Sequence, residues 1–472
     1  MSRPATTNSI THNSPRYCRA CNYNLHGLTT HRCPECGKPF DPSNPKTYRP
    51  RPRRVWLRHV RRAACAIATV VLVLALFWLC FFWGWYTEQQ ALRALNLPLN
   101  DLTFVRFEPI LTSWPQRHLG SAGFVMDRVV EIDFSGSIPT YPSRGWSTSD
   151  QITPPSLAPL ANFTHLRSLH IGDLFISSLT SLARLTRLQY LDIRFVATAD
   201  LTPLAGLTDL RELRLRFWLR NTAPPVNLAP LAGLSKLECL YLEGETIRDI
   251  SPLAGLTRLK TLKVEGTNIT SVGPLAKLTN LERLSVTSAA VVDIRPLAGL
   301  TKLEHLELDH TSVHDLAPLA GLTKLTFLSL ERTPVKDLAP LAKLTHLRGL
   351  NLEDTRITNL AALATLTQLL ELNVSHNSIT DTTPLAGLTQ LRRLNLSHNA
   401  VYDFTALAKL TNLEELNLED TAIFDLAPLV GLKSLDYLSL PMELISEAQV
   451  KALKRDLPAC HIKREEAHTN GP

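Results

Sequence analysis

The chain has 472 residues, 44% of them hydrophobic and 20% charged, which excludes an intrinsically disordered protein. Its net charge of +7 is unevenly spread: residues 1–62 hold thirteen Lys/Arg against Glu35 and Asp41, a net of +11, so the other 410 residues sum to −4. The basic charge thus sits in one short segment, and eight cysteines, four of them clustered, exclude a small secreted disulfide framework.

Residues 1–45 contain the run YCRACNYNLHGLTTHRCPECGKPFDP. Cys18, Cys21, Cys33 and Cys36 are spaced C-x2-C, eleven residues, C-x2-C. Four thiolates on two tight turns are the donor set of a closed, tetrahedral, structural zinc site. Gly37 can supply the positive φ that such a turn needs. A rubredoxin-like iron site and free or redox-active thiols are the alternatives. The quartet and the CPECG run resemble the zinc ribbons at the N-termini of bacterial membrane proteins. That resemblance implies bound zinc and a reducing, cytoplasmic setting. Either DNA binding or a plain folded knob is compatible with it.

Residues 46–62 form a basic linker with eight Lys/Arg, suited to contact with anionic lipid headgroups. Residues 63–87 then run for 25 positions without a charge, long enough for a spanning helix. Trp83, Trp85 and Tyr86 stand at its end, where an aromatic belt belongs. About 60 residues precede it, so an uncleaved signal anchor fits better than a cleaved signal peptide. Between Glu88 and Arg106 only Arg93 and Arg106 are basic. The positive-inside bias therefore puts the N-terminus in the cytoplasm and the remainder outside it, in a single-pass membrane protein. Residues 88–160 read as a membrane-proximal linker and cap, with Val129, Ile132 and Phe134 at strand spacing and a Pro/Ser-rich loop at 139–159.

The motif L-x-x-L-x-L begins at Leu166, Leu188 and Leu210, then, after a five-residue insertion, at Leu237 and every 22 residues to Leu435. The unit LEHLELDHTSVHDLAPLAGLTK, from Leu303, predicts a short strand from its leucines at positions 1, 4 and 6. Position 9 (Thr267, Thr311, Thr333, Thr355, Asn377, Asn399 and Thr421) predicts a buried polar corner bonded to the neighbouring coil. Apolar positions 11, 14, 17 and 20 and Pro318 predict a short helical turn. No unit can bury its leucines alone, so thirteen must stack over 161–445. These motifs resemble the leucine-rich-repeat superfamily, in its internalin-like 22-residue bacterial class. The resemblance implies an α/β repeat solenoid with parallel strands on a concave face and helical turns on the convex one. Residues 446–472 would close it: Ser446 and Gln449 form a capping box, and Leu457, Cys460 and Ile462 a last strand 22 residues after Leu435, with Cys460 pointing inward.

Strand positions 3, 5 and 7 should face a partner. Position 7 runs Gly172, Arg194, Arg216, Glu243, Glu265, Thr287, Asp309, Glu331, Glu353, Ser375, Ser397 and Glu419, basic first and acidic later. Asn351, Asn373, Asn395 and Asn417 form a ladder at position 5. Tyr190, Phe195, Phe217, Trp218 and Tyr241 gather early, with Arg214 and Arg216 and beside the insertion RFWLRNTAPPVN. Aromatics with arginine commonly form the energetic centre of an interface, although Phe217 and Trp218 could instead pack under their own loop. Repeat duplication accounts as well for the acidic and Asn columns, and for His376 and His398. No phosphate loop, G-x-S-x-G or H-E-x-x-H pattern occurs. The expectation is a non-catalytic protein that binds a protein or glycan on the concave face, with no nucleic acid at the repeats. Self-association as an envelope or adhesion protein, and signalling through the ribbon, are the rival readings.

Overall fold

The computed structural model describes residues 15–51, 55–94, 105–109, 127–134, 157–219, 223–441 and 444–465. Most of the Pro/Ser-rich loop, part of the insertion and the Trp85 side chain lie outside them. The chain divides into two compact units, residues 1–84 and 85–472.

In the first unit Tyr17–Cys18 (β1) pairs antiparallel with Tyr48–Arg49 (β2). Leu25 and Phe40 are buried with Cys18 and Cys33. The helix Val55–Ala94 (α1) then runs for 40 residues. Ile67, Val70, Val71, Leu72, Val73, Leu74 and Leu76 are all exposed on it. Among the described residues no helix is long and apolar enough to cross a membrane; the side chains at 77–82, 84 and 85, within the uncharged run, lie outside them.

The second unit is built on a sixteen-stranded sheet whose strands follow chain order. Val105–Pro109 (β3) and Asp127–Asp133 (β4) open it as an antiparallel pair, and parallel pairing follows. The repeat strands are Ser168–Ile176 (β5), Tyr190–Val196 (β6), Glu212–Phe217 (β7), Cys239–Glu243 (β8), Thr261–Glu265 (β9), Arg283–Thr287 (β10), His305–Glu307 (β11), Phe327–Ser329 (β12), Gly349–Asn351 (β13), Glu371–Asn373 (β14), Arg393–Asn395 (β15), Glu415–Asn417 (β16) and Tyr437–Pro441 (β17). Equivalent leucines face one another, as Leu284 faces Leu306. Before the array, Glu88, Ala91 and Leu92 are buried, and a Glu88 oxygen accepts the Val129 N–H at 3.3 Å. The start of the segment read as linker and cap is therefore helical.

Within one coil Leu303, Leu306, Leu308, Val313, Leu316, Leu319 and Leu322 are all buried. Burial of seven such side chains is worth on the order of 10–20 kcal/mol gross. Ordering 22 residues of backbone costs about as much or more. A lone coil therefore loses, and the same carbon surfaces must be shared with neighbours. Each coil returns through a 3-10 turn such as Ala317–Leu319, where Pro318 sits in the first turn and lacks only an N–H that would be orphaned. Asp315 accepts the Ala317 N–H at 2.9 Å, and Asp337, Asp403 and Asp425 repeat the bond in their own coils. This Asp column escaped the sequence reading.

Two expectations from the sequence are corrected. Most corner threonines bond within their own coil: the Thr311 hydroxyl donates to Leu308 O, three residues back, at 2.6 Å, and Thr333 and Thr421 behave alike, whereas the Thr355 hydroxyl bonds Leu352 O and also Asn377 Oδ1 of the next coil, at 3.2 Å. A hydroxyl bonds across only where the next corner is an Asn that comes to meet it, as at Thr355, whereas an amide is long enough to reach a neighbouring backbone. Asn399 Nδ2 donates to Leu396 O and Ser397 O of its own coil and to Val374 O of the preceding one, while its Oδ1 accepts the Ile379 N–H. Second, the last step is 24 residues, because Leu438 faces Ile462 in His461–Glu465 (β18). The α-helix Glu447–Asp456 (α2), with its Ser446–Gln449 capping box, replaces the shorter 3-10 turn and uses the extra residues. Cys460 is buried, at 1% exposure, but lies just before the strand and not on it. Position 8, which the sequence does not mark, adopts the left-handed region in coil after coil, with Ser288, His310, Arg332, Asp354, His376, His398 and Asp420 at φ of 49–55°. That geometry aims the position-8 N–H at the next coil, as His310 N donates to Glu331 O at 2.8 Å.

Candidate functional site

The four Cys Sγ atoms lie within 4.8 Å of one another, and Cys18–Cys36 and Cys21–Cys33 are each 3.5 Å apart. Zn–S bonds of about 2.3 Å in a tetrahedron place sulfurs just under 4 Å apart, so the donor set fits a metal ion of this kind. Two matching knuckles hold it. Asn22 N donates to Cys18 O and Gly37 N to Cys33 O, and both residues have φ of 69°. Gly37 was expected there; Asn22, which tolerates this region better than most residues, was not. Burial would raise the Cys18 thiol, but the amides of Cys21 and Ala20 outweigh it and hold the group at about 6. At Cys21 the Tyr23 amide favours the thiolate, but burial and the sulfurs of Cys33, Cys36 and Cys18 override it and push the thiol to about 12.

On the sheet face the early aromatics divide. Phe175, which the sequence reading passed over, stacks on Phe195 at 5.4 Å. Trp218 closes the group edge-on, 6.5 Å from Phe175 and 6.0 Å from Phe195, and is 58% exposed. Phe217, expected beside it as a contact residue, is instead 6% exposed and part of the core. A Cβ at Gly244 would stand 2.8 Å from its own. Alternation along β7 turns successive side chains to opposite faces, so only one of the two could be presented. Phe175 was hidden because a register shift in β5 brings it opposite Phe195.

The arginines beside this group are partly engaged. Arg214 lies between Tyr190 and Tyr241, 6.0 and 4.5 Å from their ring centres, and pairs with Glu212 at 2.6 Å. Burial, then the Asp192 charge, pushes the Tyr190 phenol up to about 12. Arg216 pairs with Glu243 at 2.6 Å, and Lys263 with Glu265 at 3.4 Å. With Arg194, they line a shallow hollow of about 370 Å³. Arg216, from the basic start of the position-7 column, is thus answered by Glu243 from its acidic continuation.

The later columns are largely self-satisfied. Asp309 accepts the Ser329 hydroxyl and the Glu331 N–H; Glu331 and Glu353 accept the amides of Asn351 and Asn373. Each Asn Oδ1 at position 5 takes the N–H two residues on in its own strand, at Glu353, Ser375, Ser397 and Glu419. Ser375 and Ser397, expected to face outward, are buried by that contact, and so is Gly172 in its own coil. His376 and His398 stack at 4.0 Å, and His398 Nδ1 is 2.9 Å from Asp420. The cysteines form the sole cluster of three or more potential metal ligands among the described residues.

No protein-family model matches the chain. No curated protein matches it either. Among solved structures, an internalin from Listeria monocytogenes is 33% identical, with a TM-score of 0.57, over 60% of this chain and 83% of its own length. A leucine-rich-repeat protein from Leptospira interrogans is 20% identical, with a TM-score of 0.54, over 66% and 87%. Together with the 22-residue coils and their parallel sheet, this likeness makes the chain a member of the internalin-like leucine-rich-repeat proteins.

Proposed function

We propose that this is a single-pass, non-catalytic membrane protein whose extracytoplasmic solenoid holds a protein partner at the Phe175–Phe195–Trp218 group and the adjoining arginine hollow. The exposed Trp218, braced edge-on by two stacked phenylalanines, is the observation that carries the reading. A large rigid ring already fixed in place loses little entropy on binding, and beside Arg194 it has the make-up of an interface centre. The 25-residue uncharged run at 63–87 and its exposed aliphatic side chains support the membrane anchor; 25 helical residues reach about 37 Å, past a core of about 30 Å. The charge bias and the thiol cluster favour a cytoplasmic N-terminus with structural zinc on Cys18, Cys21, Cys33 and Cys36.

Full-length protein in detergent should capture a defined partner from its native surroundings. Trp218→Ala with Arg194→Ala should reduce that capture more than ten-fold, since each truncation of an interface centre costs about 2 kcal/mol. Equal capture by wild type and double variant would remove the patch from consideration. Protease added to intact cells should digest the repeats and spare the ribbon; the reverse pattern would invert the orientation.

A further inference from the structure

The sheet face of the later coils carries a second feature. Between β12 and β17 lies an open groove of about 390 Å³. Its position-3 column runs Phe327, Gly349, Glu371, Arg393, Glu415, Tyr437. Phe327 stacks on His305 at 4.3 Å and lies over Gly349, where a Cβ would meet its ring at 2.7 Å. Tyr437 stacks on His461 at 5.6 Å at the other end. Between the rings Arg393 is held by Glu371 at 2.5 Å and by Glu415 at 3.3 Å, so its charge is already answered.

The asparagines lining the groove are not equivalent. Asn351 and Asn373 donate their amides to Glu331 and Glu353 of the preceding coil. For Asn395 and Asn417 the preceding position 7 is Ser375 or Ser397, each turned in toward its own Asn. Their Oδ1 atoms are fixed by Ser397 N and Glu419 N, and their Nδ2 atoms donate to nothing among the described residues. Two oriented amide donors therefore stand one strand apart, about 4.8 Å, facing the groove that both residues line.

We propose that this groove binds a neutral, extended 1,4-linked pyranose chain, a second site independent of the partner patch above. Sugar rings offer apolar faces to the Tyr437 ring and to the edge of Phe327, whose own faces His305 and Gly349 cover, and hydroxyl acceptors to the two amides. Arg393, answered by two carboxylates, gives no hold on an anionic ligand. An extended 1,4-linked pyranose chain advances by about 5 Å per ring, close to the strand spacing of about 4.8 Å. An extended peptide presents same-face carbonyls only every 6.4–6.8 Å or so, twice its rise per residue, and falls out of step with the ladder after one contact. The rings at the two ends are five strand steps apart, about 24 Å.

The test is calorimetric titration of the full-length protein, in a detergent without a sugar headgroup, with the β-1,4-linked hexasaccharides of glucose and of N-acetylglucosamine. A capped neutral Thr-Val hexapeptide is titrated in parallel. At least one saccharide should bind. Asn395→Asp with Asn417→Asp keeps the acceptors for Ser397 and Glu419 but removes the donors, and should weaken binding about ten-fold or more. Tyr437→Ala should weaken it comparably, and Trp218→Ala should leave it unchanged. Absence of saccharide binding, equal affinity in the Asn and Tyr437 variants, loss in Trp218→Ala, or Asn-dependent binding of the peptide alone would each overturn the assignment.

Discussion

The coils of β5–β10 and those of β11–β16 share their leucines, yet they end their strands differently. The first six strands run five to nine residues and the next six only three. In the later coils the position-7 N–H is diverted to a side chain: Glu331 N to Asp309, then Glu353, Ser375, Ser397 and Glu419 to the Asn of their own strand. A side-chain acceptor that replaces a backbone one stops the ladder two residues early. The comparison teaches where variation is free. Where backbone closes the ladder, position 5 holds His170, Asp192, Arg214, Tyr241, Lys263 or Ser285. Where a side chain closes it, position 5 is Asn four times running.

The sharpest test of this difference lies at the corner. Asn399, 5% exposed, satisfies backbone groups of two coils. Asn399→Ala leaves several of them buried and unpaired and should cost about 3–5 kcal/mol in urea unfolding. Gly244 comes next. Its φ of +148° and the 2.8 Å approach to Phe217 make Gly244→Ala destabilising by about 2 kcal/mol. At the equivalent position of a later coil Arg332 bears the left-handed strain itself, so Arg332→Gly should raise stability, by up to about 1 kcal/mol. If both changes shift stability the same way, position 8 is not the same device in the two halves. Thr311→Val should cost about 1 kcal/mol for one lost bond. Thr267→Val should change stability by less than about 0.5 kcal/mol, because the Thr267 hydroxyl is buried without a partner.

Acid should separate the coils as well. The His305 ring holds the Glu307 carboxyl at about 2 against an ordinary 4.5, outweighing burial. A lowered folded value means that the stabilisation is complete above the ordinary value and is lost as pH falls from about 4.5 toward 2. Denaturation curves taken across that window should therefore flatten in Glu307→Gln. An unchanged slope would show that this pair does not set the acid limit.

The period, the core leucines, the capping box and the cysteine quartet were all legible, because each depends on residue type at fixed spacing. What escaped depends on three-dimensional placement. Phe217 and Trp218 are neighbours in sequence and opposite in fate, decided by which of them the alternation of β7 turned inward. Phe175 needed the irregularity of β5 to reach Phe195. The left-handed column was disguised because Gly gives way to His, Arg and Asp at the same position. Ile462 looked like the sixth residue of a standard unit until the longer return of α2 moved it to the fourth.

The Asn corners carry a consequence for how such an array changes length. Asn377 and Asn399 each reach back to the same carbonyl of the coil before, Leu352 O and Val374 O respectively. Excision of residues 369–390 would bring Asn399 against Leu352 in the place Asn377 now occupies, with no loose end. These later coils are interchangeable modules. The distance between the two ends of the solenoid can thus be reset by whole units, while the aromatic patch upstream keeps its own neighbours.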